Sequence, residues 1–242
     1  MPALSIVIPA YNEQARLPDT LAQVLAYLDS SRVSDPEVIV VDDGSRDGTA
    51  ALVEEWSRKD ARVRLVKNPG NRGKGYSVKH GMLEARNEWV LFSDADLSAP
   101  IEEFDKLWAA VEREQAAVAI GSRALNRGLI GVRQSLFRET AGRFFNLVVR
   151  LVCGLPFWDT QCGFKLFRRD AAREVFSRLQ LERFGFDVEA LFIARLKRHK
   201  TIEVPVRWNH AEGTKVSMFR DSVDMFLDLL RVRRNQVLGK YR

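Results

Sequence analysis

The sequence predicts an α/β fold: a mostly parallel central sheet with helices on both faces, and basic amphipathic helices toward the C-terminal half. Three observations carry this. Short apolar runs of strand length alternate with segments of helical periodicity through the first hundred residues. The runs are continuously apolar, as strands covered on both faces are. Polar turns rich in Asp, Asn and Gly follow their ends, where ligands bind in open α/β sheets.

Leu4-Ser5-Ile6-Val7-Ile8 is the first strand, stopped by Pro9, and Ala10-Tyr11-Asn12-Glu13 is a polar turn. Leu17, Leu21, Val24, Leu25 and Leu28 recur at helical spacing, so an amphipathic helix covers the sheet. Val38-Ile39-Val40-Val41 is the second strand and runs into Asp42-Asp43-Gly44-Ser45-Arg46-Asp47-Gly48-Thr49. Asp47 is the expected N-cap of a helix from Ala50 to Arg58. Val63 to Val66 is the third strand, Lys67 to Gly75 a loop and Tyr76 to Arg86 a helix. Trp89 to Ser93 is the central strand, ending at Asp94-Ala95-Asp96. No repeat or linker interrupts the chain, so 1–242 reads as one domain.

With 242 residues, 46% of them hydrophobic and 29% charged, the chain is long enough for a substantial core. No apolar segment reaches the ~18 residues of a spanning helix, and MPALSIVIPAYNE has no basic region before its apolar run. The expected location is therefore cytoplasmic. Cys153 and Cys162 fit no metal spacing and are too few for a disulfide framework, so buried, reduced thiols are expected. His80, His199 and His210 are too scattered for a metal site, and Trp158 and Trp208 read as core residues. The formal charge of +6 calls for an anionic partner. Nucleic acid is set aside, because no recognition motif is present and acidic clusters at strand ends would not serve it.

Asp94 and Asp96 are i and i+2, so in an extended chain both face one point past the strand's end. Such a point suits a hard cation, Mg2+ or Mn2+, with substrate phosphates filling the remaining positions. Asp42 and Asp43 repel one another unless something fills the space between them, and an acceptor-only group can take an N–H from a base or an O–H from a ribose. Lys74, in Asn71-Arg72-Gly73-Lys74-Gly75, lies in a donor-rich loop suited to a pyrophosphate, and the loop lacks Walker spacing. Arg123, Arg127, Arg133, Arg138, Arg143 and Arg150 stand against a single acid, Glu139, with Leu136, Phe137, Phe144, Phe145, Leu147 and Val148 interleaved. That mixture suits phosphate and an anionic membrane surface. The tail repeats it, with Phe219, Val223, Phe226 and Leu230 ahead of Arg231, Arg233 and Arg234.

Ser5-Ile6-Val7-Ile8-Pro9-Ala10-Tyr11-Asn12-Glu13, Val40-Val41-Asp42-Asp43-Gly44-Ser45, Asn71-Arg72-Gly73-Lys74-Gly75 and Asp94-Ala95-Asp96, in this order, resemble the family 2 glycosyltransferases of GT-A fold. Gly121-Ser122-Arg123, Asp159-Thr160-Gln161-Cys162-Gly163-Phe164-Lys165, Gly185-Phe186-Asp187-Val188-Glu189 and Glu212-Gly213-Thr214-Lys215 resemble the branch acting on dolichyl phosphate. The Asp-Thr-Gln-Cys-Gly-Phe-Lys string is closer to its glucosyl type, while Leu97-Ser98-Ala99-Pro100 is similar to mannosyl and bacterial members.

The resemblance implies a nucleotide-sugar half over 1–120 and an acceptor half over 121–242 that ends in a membrane-associating helix. It places Pro9, Tyr11, Glu13, Asp42 and Asp43 about the nucleoside, Lys74 near the pyrophosphate, and Asp94 with Asp96 on nucleotide and metal. Asp159, Asp187 and Glu189 become candidates for a base, or for holding the acceptor and the arginines in place. Arg123, Arg138 and Arg133 become candidates for the acceptor phosphate and the membrane surface. The implied reaction is inverting transfer of a hexose to a dolichyl or polyprenyl phosphate by a peripheral enzyme at the cytosolic membrane face, with UDP-glucose favoured as donor. GDP-mannose as donor, or a hydroxyl acceptor in cell-envelope polysaccharide synthesis, are the alternatives, and a homo-oligomer is compatible with the chain. A sugar-nucleotide pyrophosphorylase is set aside, because Pro9-Ala10-Tyr11-Asn12 stands where its Gly-rich start would be.

Overall fold

A computed structural model describes residues 1–131, 136–209 and 218–242, without the side chains of 136–139, 141, 143 and 218–223. Seven strands, β1 (Ala3–Ala10), β2 (Ser34–Asp42), β3 (Val63–Lys67), β4 (Trp89–Ser93), β5 (Val118–Ser122), β6 (Phe164–Arg168) and β7 (Thr201–Pro205), form one sheet in the order β3-β2-β1-β4-β6-β5-β7. All neighbours are parallel except β6, which runs antiparallel to both β4 and β5. The helices are α1 (Leu17–Ser30), α2 (Thr49–Lys59), α3 (Lys74–Glu84), α4 (Phe104–Glu114), α5 (Leu136–Cys153), α6 (Arg169–Arg178), α7 (Phe186–Leu196) and α8 (Met218–Val237).

Two apolar cores, one on each face, hold the sheet. One joins Val7, Val41 and Phe92 to α3, α5, α6, α7 and α8, and the other joins Ile6, Ile8 and Leu91 to α1, α2 and α4. Alternate residues of one strand serve opposite faces, which is why the strands read as unbroken apolar runs. β1 is longer than expected and includes Pro9, paired with Val41. Pro9 is tolerated because pairing with β4 ends at Val7, leaving that edge of β1 open.

The helix expected from Tyr76 begins earlier, at Lys74. Gly73 precedes it at φ 106°, a left-handed conformation open to glycine, and a Cβ there would lie 2.6 Å from the Glu182 carbonyl oxygen. Lys74 thus occupies a first turn that lacks any acidic residue, although a cation there opposes the helix dipole.

The antiparallel β6 decides where the site lies. Its N-terminal end faces the C-terminal ends of β4 and β5, so the segment 159–163 arrives at the same edge as Asp94 and Arg123.

Candidate active site at the C-terminal edge of the sheet

Asp42 and Asp43 end β2, Asp94 and Asp96 follow β4, and Arg123 follows β5, so one edge gathers them. The strand stops at Ser93, and the Leu97 N–H donates to the Asp94 carbonyl oxygen at 3.2 Å. Asp94 to Leu97 is therefore a turn, not the extended pair expected, and Leu97 takes φ 44°, unusual for a leucine. Asp96 Oδ1 accepts from the Ser98 N–H at 2.9 Å.

Asp94 Oδ1 is buried and has no hydrogen-bond partner among the described residues, yet Lys74 Nζ stands 2.7 Å away as an ion pair. Burial pushes the Asp94 carboxyl above its ordinary value, with Lys74 pulling against it and Asp96 adding to it. Burial pulls the Lys74 ammonium down, but Asp94, Asp187 and Asp96 hold it above its ordinary value. Gly163 makes room for this carboxylate, because a Cβ there would lie 1.9 Å from Asp94 Oδ2. A small pocket opens beside it, lined by Ser93, Asp94, Leu97, Cys162, Gly163 and Trp208. The two carboxylates, with one Asp94 oxygen met by a lysine instead of a backbone or side-chain amide, make a hard donor set that fits Mg2+ or Mn2+, provided that a ligand completes the shell.

Asp43 is buried and already engaged. Its Oδ1 accepts from Asn68 Nδ2 at 2.7 Å and the Arg72 N–H at 2.9 Å, and its Oδ2 from the Gly73 N–H at 2.8 Å. It therefore shapes the loop before Lys74, which leaves Oδ2 one lone pair for a nucleoside. Asp42 is buried and faces the Ser45 N–H. The turn holding Tyr11 and Glu13 is stitched to the next one: Thr49 Oγ1 accepts from the Glu13 N–H at 2.9 Å, and Asn12 Oδ1 from the Arg46 N–H at 2.8 Å. Asp47, the expected N-cap, lies one residue too early: Gly48 is the N-cap of α2, and Asp47 Oδ1 accepts from the Thr49 N–H at 3.0 Å from outside the helix.

The acceptor-side carboxylates are less available than the sequence implied. Asp159 is buried and takes Arg123 Nε at 2.6 Å and Nη2 at 2.8 Å, as well as the Arg123 N–H at 3.0 Å. Burial alone would raise its carboxyl, but the Arg123 guanidinium overrides that and holds it below the ordinary value. Two of Arg123's five N–H donors are thus turned to Asp159, and its guanidinium lies over the Trp208 ring at 5.4 Å. Asp187 is ion-paired with Lys165, a buried lysine that also donates to the Cys162 carbonyl at 2.6 Å. Glu189 is fully buried and accepts from the Gln180 and Leu181 N–H groups and Tyr241 Oη, which leaves it no room to act as a base. Arg133 and the Arg138 side chain lie outside the described residues.

Sequence reasoning missed Lys165, a lysine embedded in Phe164-Lys165-Leu166-Phe167, and that misplaced charge was the signal for it. It also missed Glu203, which accepts from the Trp158 and Asp159 N–H groups and fixes the segment carrying Asp159. Cys153 and Cys162 are free and buried as expected, and burial pushes the Cys162 thiol up to about 12. Trp208 is buried, but Trp158, expected in the core, is 56% exposed with Arg150 stacked on it at 4.0 Å.

The fold has counterparts among solved structures. The crystal structure of glucosyl-3-phosphoglycerate synthase from Mycobacterium tuberculosis with UDP superposes with a TM-score of 0.67 at 19% identity, over 96% of this chain and 80% of that one. That enzyme has also been crystallised with Mn2+, UDP and product. Mannosyl-3-phosphoglycerate synthase from Rubrobacter xylanophilus gives 0.67 at 18% identity, over 99% and 75%. In sequence, the dolichyl-phosphate beta-glucosyltransferase of Homo sapiens is 39% identical over 251 residues, 99% of this chain and 77% of that protein. Its Dictyostelium discoideum counterpart is 36% identical over 99% of this chain and 76% of that protein. The family model for glycosyl transferase family 2 matches residues 5–176, which contain every strand that delivers Asp43, Lys74, Asp94 and Arg123 to the edge. On that match and these relatives, the chain is a glycosyltransferase and belongs to glycosyl transferase family 2.

Proposed function

We propose that this enzyme transfers glucose from UDP-glucose to the phosphate of a dolichyl or other polyprenyl phosphate, with inversion, as a peripheral protein at the cytosolic membrane face. The observation that carries the reading is the buried Asp94 Oδ1, held in an ion pair by the Lys74 ammonium beside the Asp96 turn. Asp94 and Asp96 would hold Mg2+ or Mn2+, which when bound neutralises charge on the departing UDP. Lys74 supplies a further cation to the pyrophosphate. Pro9, Tyr11, Glu13 and Asp42 flank the nucleoside, with Asp43 ordering the loop that closes on it. Residues 1–120 thus serve the donor and 121–242 the acceptor.

The acceptor class follows from what the carboxylates are doing. A hydroxyl nucleophile needs a base, yet Asp159 is held in its ionised form by Arg123, Asp187 is neutralised by Lys165, and Glu189 is saturated. A phosphate monoester has a second pKa near ~6 and needs none at neutral pH. Its oxygen attacks the anomeric carbon as the bond to UDP breaks and UDP leaves with the electron pair. Arg123 keeps donors beyond those on Asp159 for orienting that phosphate.

A lipid acceptor also accounts for the exposed apolar face. Phe144, Leu147 and Leu151 line one side of α5, and Phe226, Leu227, Leu230 and Val237 are exposed on α8. Arg150, Arg233 and Arg234 border them, as suits an anionic bilayer surface. No described helix is long and apolar enough to cross a membrane.

The test is transfer from radiolabelled UDP-glucose and GDP-mannose into an organic-extractable polyprenyl phosphate, with and without chelator. Label should pass from UDP-glucose and cease with chelator. Label from GDP-mannose alone would replace the donor, and label found only in a hydroxyl acceptor would replace the acceptor class.

A further inference from the structure

Glu189 and Tyr241 form a buried unit that the chemistry above does not use. Glu189 is 0% exposed and Tyr241 is 4% exposed. Glu189 Oε2 accepts from the Gln180 N–H at 2.9 Å and the Leu181 N–H at 2.7 Å, and Tyr241 Oη donates to Oε1 at 2.5 Å. Burial raises the Glu189 carboxyl in spite of these three donors, so keeping it there is costly.

What it holds is the segment 180–183, and that segment is the wall behind the Lys74 turn. The Tyr76 N–H donates to the Glu182 carbonyl at 3.0 Å. A Cβ on Gly75 would lie 2.8 Å from both the Leu181 and Arg183 carbonyl oxygens, and Arg72 pairs with Glu182 while stacking on Tyr76 at 4.4 Å. Lys74 sits between these contacts. On the other side, Tyr241 lies just beyond α8, whose Asp228 accepts from the Gly185 N–H at the start of α7. The C-terminal part of the chain thus meets this region at two points, Asp228 of α8 on Gly185 and Tyr241 on Glu189.

We infer that Glu189 and Tyr241 are positioning residues: they fix the 180–183 wall, and through it the Lys74 turn, and so couple α8 to the donor site. The inference rests on the proposed donor-site role of Lys74. A static brace of this kind acts through Lys74 or not at all, which makes it separable from a general effect on stability.

The experiment is calorimetry of UDP with Mn2+ on the full chain, for Lys74→Ala, Tyr241→Phe and the double variant, with thermal denaturation alongside. Tyr241→Phe removes the hydroxyl that bonds Glu189 and Asn235 and should weaken UDP about three- to tenfold in the wild-type background. In the Lys74→Ala background it should add nothing, because coupled sites are not additive. Glu189→Gln keeps an oxygen for the two N–H groups and an NH2 for Tyr241 Oη, and should stay within about twofold of wild type. Amide exchange over 68–76 should quicken in Tyr241→Phe. Additive losses in the double variant, undiminished affinity in Tyr241→Phe, or a loss in Glu189→Gln as large as that in Tyr241→Phe would each overturn the brace. Undiminished affinity in Lys74→Ala would overturn the donor-site reading itself and the brace with it.

Discussion

Lys74 Nζ and Asp94 Oδ1 lie 2.7 Å apart across the sheet edge, joined as an ion pair. The lysine comes from the first turn of α3 and the carboxylate from the end of β4, so each offsets a disfavoured situation in the other. A cation at a helix N-terminus opposes the dipole, and a buried carboxylate oxygen without a donor is costly. A divalent ion bound by Asp94 and Asp96 would take over the second task and release Lys74 for an anionic ligand.

Asp96→Asn retains shape and the Ser98 contact but removes a charge the ion requires. Transfer should fall on the order of a hundredfold or more, since metal assistance amounts to several kcal/mol, while the melting temperature stays near wild type. Turnover close to wild type would rule out the two-carboxylate site.

Gly163→Ala adds a methyl group 1.9 Å from Asp94 Oδ2, with the carboxylate confined on its other side by Lys74. Overpacking of this kind costs about 1–3 kcal/mol in stability. Mn2+-dependent UDP binding should suffer more than the melting temperature, because the displaced group is the proposed metal ligand. Calorimetry and thermal denaturation on the same preparation compare the two losses.

Asp159 carries a pH signature. Its folded pKa lies below the ordinary 3.8 because Arg123 favours the carboxylate over the opposing effect of burial. The stability this contributes is fully present above the unfolded value and is lost as pH falls through the lower folded value. Urea unfolding between roughly pH 2 and 5 should show a shallower acid limb in Asp159→Asn than in wild type. Parallel limbs would mean that the ion pair contributes nothing to folding.

The arginines should separate into two kinds. Arg123→Ala should depress transfer even to a short, soluble prenyl phosphate, because the proposed contact is direct and charge-assisted. Charge removal at Arg233 and Arg234 should weaken binding to anionic liposomes, each residue counting for about 1 kcal/mol and fading with salt, while sparing the soluble acceptor. Equal losses on both acceptors from the Arg233 and Arg234 changes would refute a surface role.

Much of the first half was legible because its signals are local. The β4 bounds, the α1 stripe and the turn before α2 follow from apolar period and turn chemistry within a dozen residues. Contacts across the chain were not. Arg123 meets Asp159 from 36 positions away, and Asp43 meets Arg72 from 29. Both were read as ligand-facing groups because their protein partners carried no sequence mark. The Asp94 and Asp96 geometry was misjudged for another reason: the strand was extrapolated past Ser93, where the backbone turns instead. Trp158 was assigned to the core on its bulk, although the ring is exposed and covered on one side by Arg150, 8 positions away in the sequence.

The reversed strand β6 also has a consequence for how the chain is made. The β3-β2-β1-β4 unit is complete at Ser93, but one edge of β4 waits for Phe164–Arg168, which follows only after β5 and α5 have been made. At a synthesis rate of about 5–20 residues per second, Trp89–Ser93 stands for seconds as an unpaired apolar edge. A nascent or truncated chain that stops short of β6 would present this edge to its neighbours, so the strand that completes the active site is also the one that seals the sheet against aggregation.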